Sequence, residues 1–176
     1  MLAWAVAKLE RDDQPLMDAL AEEALRKIGF LCSQDIANIA WAFATLGVNH
    51  QPLLSALASE ALPKISHGIH QERVNLVWSI AKLEFVHMPL LEALSAASLS
   101  KLSELTSQDV ANTSWSFAKL DVCDSPLMSA IASSAIKRSH DFNRQDMVNT
   151  VWSFATVSST DVLVVSGSHL QKSTRS

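Results

Sequence analysis

Four asparagines that could bind a polar ligand recur at a constant spacing along the chain. They are Asn38, Asn75, Asn112 and Asn149, each 37 residues after the one before. An asparagine side chain offers donors and an acceptor, so this row could bond a ligand's backbone or its polar edges. It could instead bond neighbouring repeats and fix their stacking. A residue that is identical in every repeat cannot distinguish bases, so contact with a nucleic acid would be with phosphate or sugar.

Five tryptophans follow the same spacing, and the last four each lie three residues after one of these asparagines. They are Trp4, Trp41, Trp78, Trp115 and Trp152. Because an indole is large and apolar, the series favours packing in the core or between repeats. The alternative is an aromatic platform on which bases stack.

Two series of basic residues share the spacing. One is Lys27, Lys64, Lys101 and Arg138, and the other is Lys8, Lys82 and Lys119, with Thr45 and Thr156 at the remaining equivalent positions. Positive charges suit the C-terminal ends of helices, which is one explanation for both series. The other explanation is a stripe that follows phosphates and gives a salt-dependent affinity. Acids outnumber bases by seven to four through Asp35 and by only eleven to ten thereafter, which favours the later repeats as a binding surface.

Composition and motifs exclude several other classes of function. A net charge of −4 excludes a strongly basic binder of the histone type. The sequence has no glycine-rich loop to cradle a phosphate and no apolar run long enough to span a membrane. His67 and His70 lack partner ligands at metal-binding spacing, and Cys123 lacks a matched base for nucleophilic catalysis. We therefore expect no cofactor, no metal, no small-molecule substrate and no enzymatic activity.

The common spacing indicates a tandem array of 37-residue units. It is shared by Pro15, Pro52, Pro89 and Pro126, and by Gln34, Gln71, Gln108 and Gln145. Repeats of this length are typical of stacked helical units, in which a single unit cannot bury its own apolar face. The predicted fold is all-α, an α-solenoid of about four helical hairpins. Residues 1–157 form this array, and 158–176 form an irregular tail that we expect to be poorly ordered.

The first helix of each unit, helix A, is predicted over 34–46 in the second repeat. Ser33 is the expected N-cap, Asp35 lies in the first turn, where the helix dipole favours an acid, and Gly47 ends the helix. On a helical wheel one polar arc contains Gln34, Asp35, Asn38, Ala42 and Thr45, and Trp41 borders it. Stacked repeats would join these arcs into a strip.

The second helix, helix B, is predicted over 52–65, beginning at Pro52 because the first helical position needs no N–H. Pro63 is expected to kink or shorten it. Arg73 replaces an apolar residue of the other repeats, so we expect its stem to pack and its charge to reach solvent. The sequence begins at Met1 within a predicted helix A, and the array lacks polar end caps. Both observations favour a fragment of a longer array.

The helix A sequences resemble those of a known group of organellar proteins. Gln34–Leu46 and Gln108–Leu120 share the core Asn-x-x-Trp-[Ala/Ser]-[Phe/Ile/Val]-Ala-x-Leu. This core is similar to that of octotricopeptide-repeat proteins, of the leucine-rich region of FAST-kinase-like and RAP-domain proteins, and of RNA-editing substrate-binding complex proteins of protists. The resemblance covers roughly Met1 to Val157.

The resemblance implies a non-catalytic RNA-binding protein in organellar RNA processing or mRNA stability, in the mitochondrion or alternatively the plastid. Its partner would be single-stranded RNA. Candidate RNA-binding residues are Asn38, Asn75, Asn112, Asn149, Thr45, Lys82, Lys119, Thr156, Ser79 and Ser116; Ala42 and Ser153 are at positions equivalent to the two serines. The low charge favours the alternative, a protein-interaction solenoid whose concave face holds a peptide or a partner helix.

Overall fold

The structure, a computed structural model, describes residues 14–157, in which all regular structure is helical and no residue lies in a β-strand. The α-helices are α1 (Gln14–Arg26), α2 (Ser33–Leu46), α3 (Gln51–Ala61), α4 (His70–Lys82), α5 (Met88–Ser100), α6 (Ser107–Lys119), α7 (Ser125–Lys137) and α8 (144–157). The all-α prediction is confirmed for this range. Predictions for Trp4, Lys8, the first helix A and the 158–176 tail lie outside the described residues.

The even-numbered helices correspond to helix A of each unit, and the odd-numbered helices correspond to helix B. The most extensive contacts join α2 to α4 and α4 to α6, whereas consecutive odd-numbered helices touch each other less. The helices therefore form two layers, here called the A layer and the B layer. An extended apolar core runs between them, and its largest fully buried side chains include Phe43, Leu54, Leu91, Phe117 and Leu127.

An acid in the first turn holds the start of each A helix. The Asp35 carboxylate accepts from the backbone N–H of Cys32 at 3.1 Å and from its thiol at 3.0 Å. Asp109 does the same with the N–H and hydroxyl of Thr106, at 2.9 and 2.8 Å. This is the reciprocal half of a capping box. The predicted N-cap was wrong by one residue, because Ser33 is already helical and Cys32 occupies the cap.

The first three described A helices also end in the same way, with a residue in the left-handed conformation. Gly47, Glu84 and Asp121 all have positive φ values, of 70°, 53° and 56°. A left-handed residue at this position lets the next N–H groups bond to the last turn. The predicted stop at Gly47 is confirmed, and the two later repeats adopt the same turn with residues that favour it less.

The B helices begin with a side-chain cap that the sequence analysis missed. His50 and His87 each accept, through Nδ1, from the backbone N–H three residues later at 3.2 Å. In the next repeat the Oδ1 atom of Asp124 takes the same role at 3.0 Å. These caps satisfy a backbone donor that the helix itself leaves unpaired.

Replacing His87 with aspartate is expected to raise the free energy of unfolding by about 0.5–1 kcal/mol, because aspartate caps well and its charge suits a helix N-terminus. The backbone at this position already accepts aspartate in the next repeat, at Asp124. Urea denaturation of the wild type, H87D and H87A checks this. An H87D protein no more stable than H87A would contradict the cap.

Two predictions about single residues had different outcomes. Pro63 does shorten its helix, because α3 ends at Ala61 and the proline lies in a 3-10 turn, Leu62–Lys64. For Arg73 the predicted packing of the stem is confirmed, but the prediction that its charge reaches solvent was wrong, since the residue is only 7% exposed. Its guanidinium donates to the backbone carbonyls of Ile65 and Gly68, which replaces the lost hydration.

Candidate nucleic-acid interface

Each A helix presents one face of repeated polar and aromatic residues to solvent. Within a helix these residues are spaced i, i+4, i+7 and i+11, which places them on the same side of successive turns. We call the whole set the A strip; it consists of Gln34, Asn38, Trp41, Thr45, Gln71, Asn75, Trp78, Lys82, Gln108, Asn112, Trp115, Lys119, Gln145, Asn149, Trp152 and Thr156. All are exposed or half-buried, so the strip is accessible along the described repeats.

The asparagines of the A strip are half-buried. Asn149 accepts from Gln145 on its own helix at 2.8 Å. Within residues 14–157 no hydrogen bond joins the side chain of Asn38, Asn75 or Asn112 to a neighbouring repeat. The proposal that these amides fix the stacking therefore has no bond to support it, and their donors and acceptors remain available to a ligand.

The serines predicted to bind RNA are not on this surface. Ser79, Ser116 and Ser153 are fully buried, as is Ala42 at the equivalent position. Each hydroxyl donates at 2.6 Å to the carbonyl four residues earlier in its own helix. A serine satisfied in this way can be buried without another partner. The assignment of Ser79 and Ser116 to an exposed polar arc was wrong for this reason.

The tryptophans both pack and reach the surface. Trp78 and Trp115 pack against the core while remaining half-buried, and Trp152 is 42% exposed. The Trp115 and Trp152 ring centroids are 6.4 Å apart, with planes inclined by 35°. The indoles thus contribute to packing and keep part of each ring accessible for stacking.

The last turn of each A helix contains the final position of the A strip, which is lysine in two helices and threonine in the other two. Lys82 lies with Nζ 5.8 Å from the Trp78 ring centroid, within cation–π range. Lys119 reaches across to the preceding repeat, where its Nζ lies 2.6 Å from Glu84 Oε1. This hydrogen bond and charge hold the pKa of the Glu84 carboxyl below its usual value. Thr45 is exposed at the equivalent position, and the Thr156 hydroxyl donates to the Trp152 carbonyl at 2.9 Å.

A protein-family comparison matches residues 4–125, which is more than half of the chain and includes the A strip through Lys119. The family is described as RNA-editing substrate-binding complex 6 protein. The chain belongs to this family. No curated protein matches it. The resemblance to RNA-editing substrate-binding complex proteins is thereby confirmed, while the octotricopeptide and RAP-protein relationships stay predictions.

In this member of the RNA-editing substrate-binding complex 6 family, the basic series outside the A strip has structural roles; it consists of Lys27, Lys64, Lys101 and Arg138. Lys64 donates to the carbonyl of Leu31 at 2.6 Å, and Arg138 donates to that of Leu105 at 2.7 Å. These two carbonyls are at equivalent positions in their repeats. The remaining members pair with nearby acids, Lys27 with Glu23 at 2.8 Å and Lys101 with Glu104 at 2.9 Å. This series therefore joins and ends repeats and does not extend the A strip.

No group of three metal-ligating side chains comes together among residues 14–157. No helix in that range has the length and apolarity needed to cross a membrane. The glutamines of the A strip were not among the residues predicted to bind RNA. The signal that would have found them is the i, i+4, i+7, i+11 spacing, which groups them with the asparagines and tryptophans.

Proposed function

We propose that this chain is a non-catalytic RNA-binding subunit of an RNA-editing substrate-binding complex. Single-stranded RNA lies along the A strip. The observation that carries the proposal is the recurrence of amides and indoles on one accessible face of every described A helix, with a lysine in the last turn of two of them. Amides and lysines suit phosphates and sugars, and indoles suit unpaired bases.

The repeats build an α-solenoid of 37-residue units whose A layer lines the concave side. The closer packing of α2, α4 and α6 supports this, since the more closely packed layer of a curved stack lies on its inner side. RNA would then follow a groove formed by equivalent residues, one set from each repeat. Because those sets are nearly identical, binding has little base specificity.

The chain acts in the mitochondrion. The resemblance of its helix A sequences to organellar repeat proteins and its membership of an RNA-editing family support this location. Imaging of the tagged full-length protein tests it.

Replacing both Lys82 and Lys119 with alanine is expected to weaken binding to a labelled oligouridine and to flatten its salt dependence. For a single strand, the slope of log affinity against log salt falls by about 0.7 for each phosphate that the protein no longer neutralises. Binding is measured for the full chain by fluorescence anisotropy at several salt concentrations. The matched control replaces Lys27 and Lys101 with alanine, which removes the same charge at exposed sites outside the A strip.

Equal slopes for the two double variants would contradict an A strip that binds phosphate. Absence of any binding by the wild type at low salt would contradict the RNA proposal itself. The alternative, a protein-interaction solenoid, is supported by the net charge of −4 and would then be preferred.

A further inference from the structure

The two lysines of the A strip differ in the charges that surround them. Lys119 on α6 pairs with Glu84, which lies 35 residues earlier in the turn after α4, and the Nζ–Oε1 distance is 2.6 Å. Lys82 on α4 lies over the Trp78 ring instead, and none of the ion pairs within residues 14–157 includes it. A phosphate can therefore meet the charge of Lys82 directly, whereas a carboxylate already occupies Lys119.

The repeat explains why only one of these lysines has an acidic partner. The residue with positive φ that follows each A helix is Gly47 after α2 and Glu84 after α4. Gly47 precedes Lys82 by the same 35 residues that separate Glu84 from Lys119. The position opposite Lys82 therefore has no side chain, and the equivalent position opposite Lys119 has a carboxylate.

The pair between Glu84 and Lys119 is weak enough for a ligand to open. Glu84 is 70% exposed and Lys119 is 36% exposed, so water and salt screen both charges. A phosphate offers the Nζ atom the same interaction as the carboxylate, an anionic oxygen that accepts a charge-assisted hydrogen bond. A phosphate that binds Lys119 must either displace Glu84 or lie beside a like charge. Both alternatives make this contact weaker than the one at Lys82.

We propose that Glu84 competes with RNA phosphate for Lys119 and thereby lowers the affinity of the A strip for single-stranded RNA. This inference rests on the proposed RNA function and concerns how the chain itself limits binding at the same strip. Lys82 is then the stronger phosphate contact and Lys119 the weaker one, although the two lysines occupy equivalent positions in their repeats.

The first test compares Glu84→Gln with Glu104→Gln in the full chain. Glu104 pairs with Lys101 at 2.9 Å, so E104Q removes the same charge from an exposed ion pair outside the A strip. E84Q is expected to raise the affinity for a labelled oligouridine about two- to fivefold, the range of an exposed ion pair. It should also steepen the slope of log affinity against log salt by up to about 0.7, which a purely structural role of Glu84 would not do.

Equal affinities of E84Q and E104Q would overturn the proposal. The gain from E84Q should also disappear in the double variant E84Q/K119A, because the competitor then has nothing to compete for. A gain that persists in the double variant would overturn the assignment to Lys119.

The second test introduces a competitor opposite Lys82 with the substitution Gly47→Glu. A Cβ at Gly47 meets no heavy atom within 4 Å, and Glu84 and Asp121 already adopt this backbone conformation. G47Q is the matched control, because it imposes the same backbone strain without the charge. G47E should bind the oligouridine about two- to fivefold more weakly than G47Q. Equal affinities of G47E and G47Q would overturn the proposal.

The outcome for Glu84 can be distinguished from the outcome for the RNA function. A wild type that does not bind the oligouridine at low salt would overturn both proposals. Binding that K82A/K119A weakens, but that neither E84Q nor G47E changes relative to its control, would leave the RNA function in place and overturn the role of Glu84. Circular dichroism of each variant checks that the compared proteins are equally helical.

Discussion

Replacing Phe117 with alanine is expected to lower the free energy of unfolding by about 3–5 kcal/mol, the largest effect of any substitution considered. Phe117 lies on α6, is 1% exposed and belongs to the core between the two layers. The substitution removes a large apolar side chain from its buried surroundings and leaves a cavity that the neighbouring helices fill only in part.

Phe154 is the matched control, since it occupies the equivalent position of α8. It is only half-buried there. F154A should therefore cost clearly less than F117A, because less apolar surface returns to water. Urea denaturation of both variants measures the difference. Equal destabilisation by F117A and F154A would mean that the two repeats are packed alike, contrary to the structure.

Replacing both Trp78 and Trp115 with leucine should reduce affinity for an oligouridine by about tenfold or more. Base stacking on an aromatic side chain contributes about 1–3 kcal/mol for each base. Leucine keeps the apolar packing of these half-buried positions and removes the ring. This prediction depends on the proposed RNA function and concerns which side chains carry the affinity.

The double phenylalanine variant, W78F/W115F, separates stacking from folding. It retains a smaller ring, so it should bind better than the leucine variant while both remain helical by circular dichroism. If the two variants bind equally well, the indoles serve only to pack the repeats. If both unfold, the same substitutions at Trp152 provide the comparison with a smaller loss of stability, because Trp152 is 42% exposed.

The features that the sequence predicted well are those set within a few residues. The constant spacing indicated the helices in order, Gly47 indicated a helix end, and Pro63 indicated a shortened one. The two helix ends depend on the backbone chemistry of glycine and proline, which does not change with the surroundings. The Asp35 carboxylate was likewise expected in the first turn, although its actual partner is Cys32.

The features that the sequence did not predict depend on how the helices pack against one another. Ser79 and Ser116 are polar and were placed on the exposed arc, but a hydrogen bond within the helix allows their burial. Arg73 is charged and was expected in solvent, but two carbonyls at a repeat junction receive its guanidinium. The caps formed by His50 and His87 depend on the geometry of the turn, because histidine is not a typical capping residue.

The unequal packing of the two layers determines how the array can bend. The backbones of α2, α4 and α6 already lie close together, so the A layer has little room to shorten. The B layer contains open grooves between successive helices. Flexing must therefore widen or narrow those grooves while the A layer acts as the hinge side. Any contact that filled one of these grooves would therefore stiffen the array and fix its curvature, although it would touch no residue of the A layer.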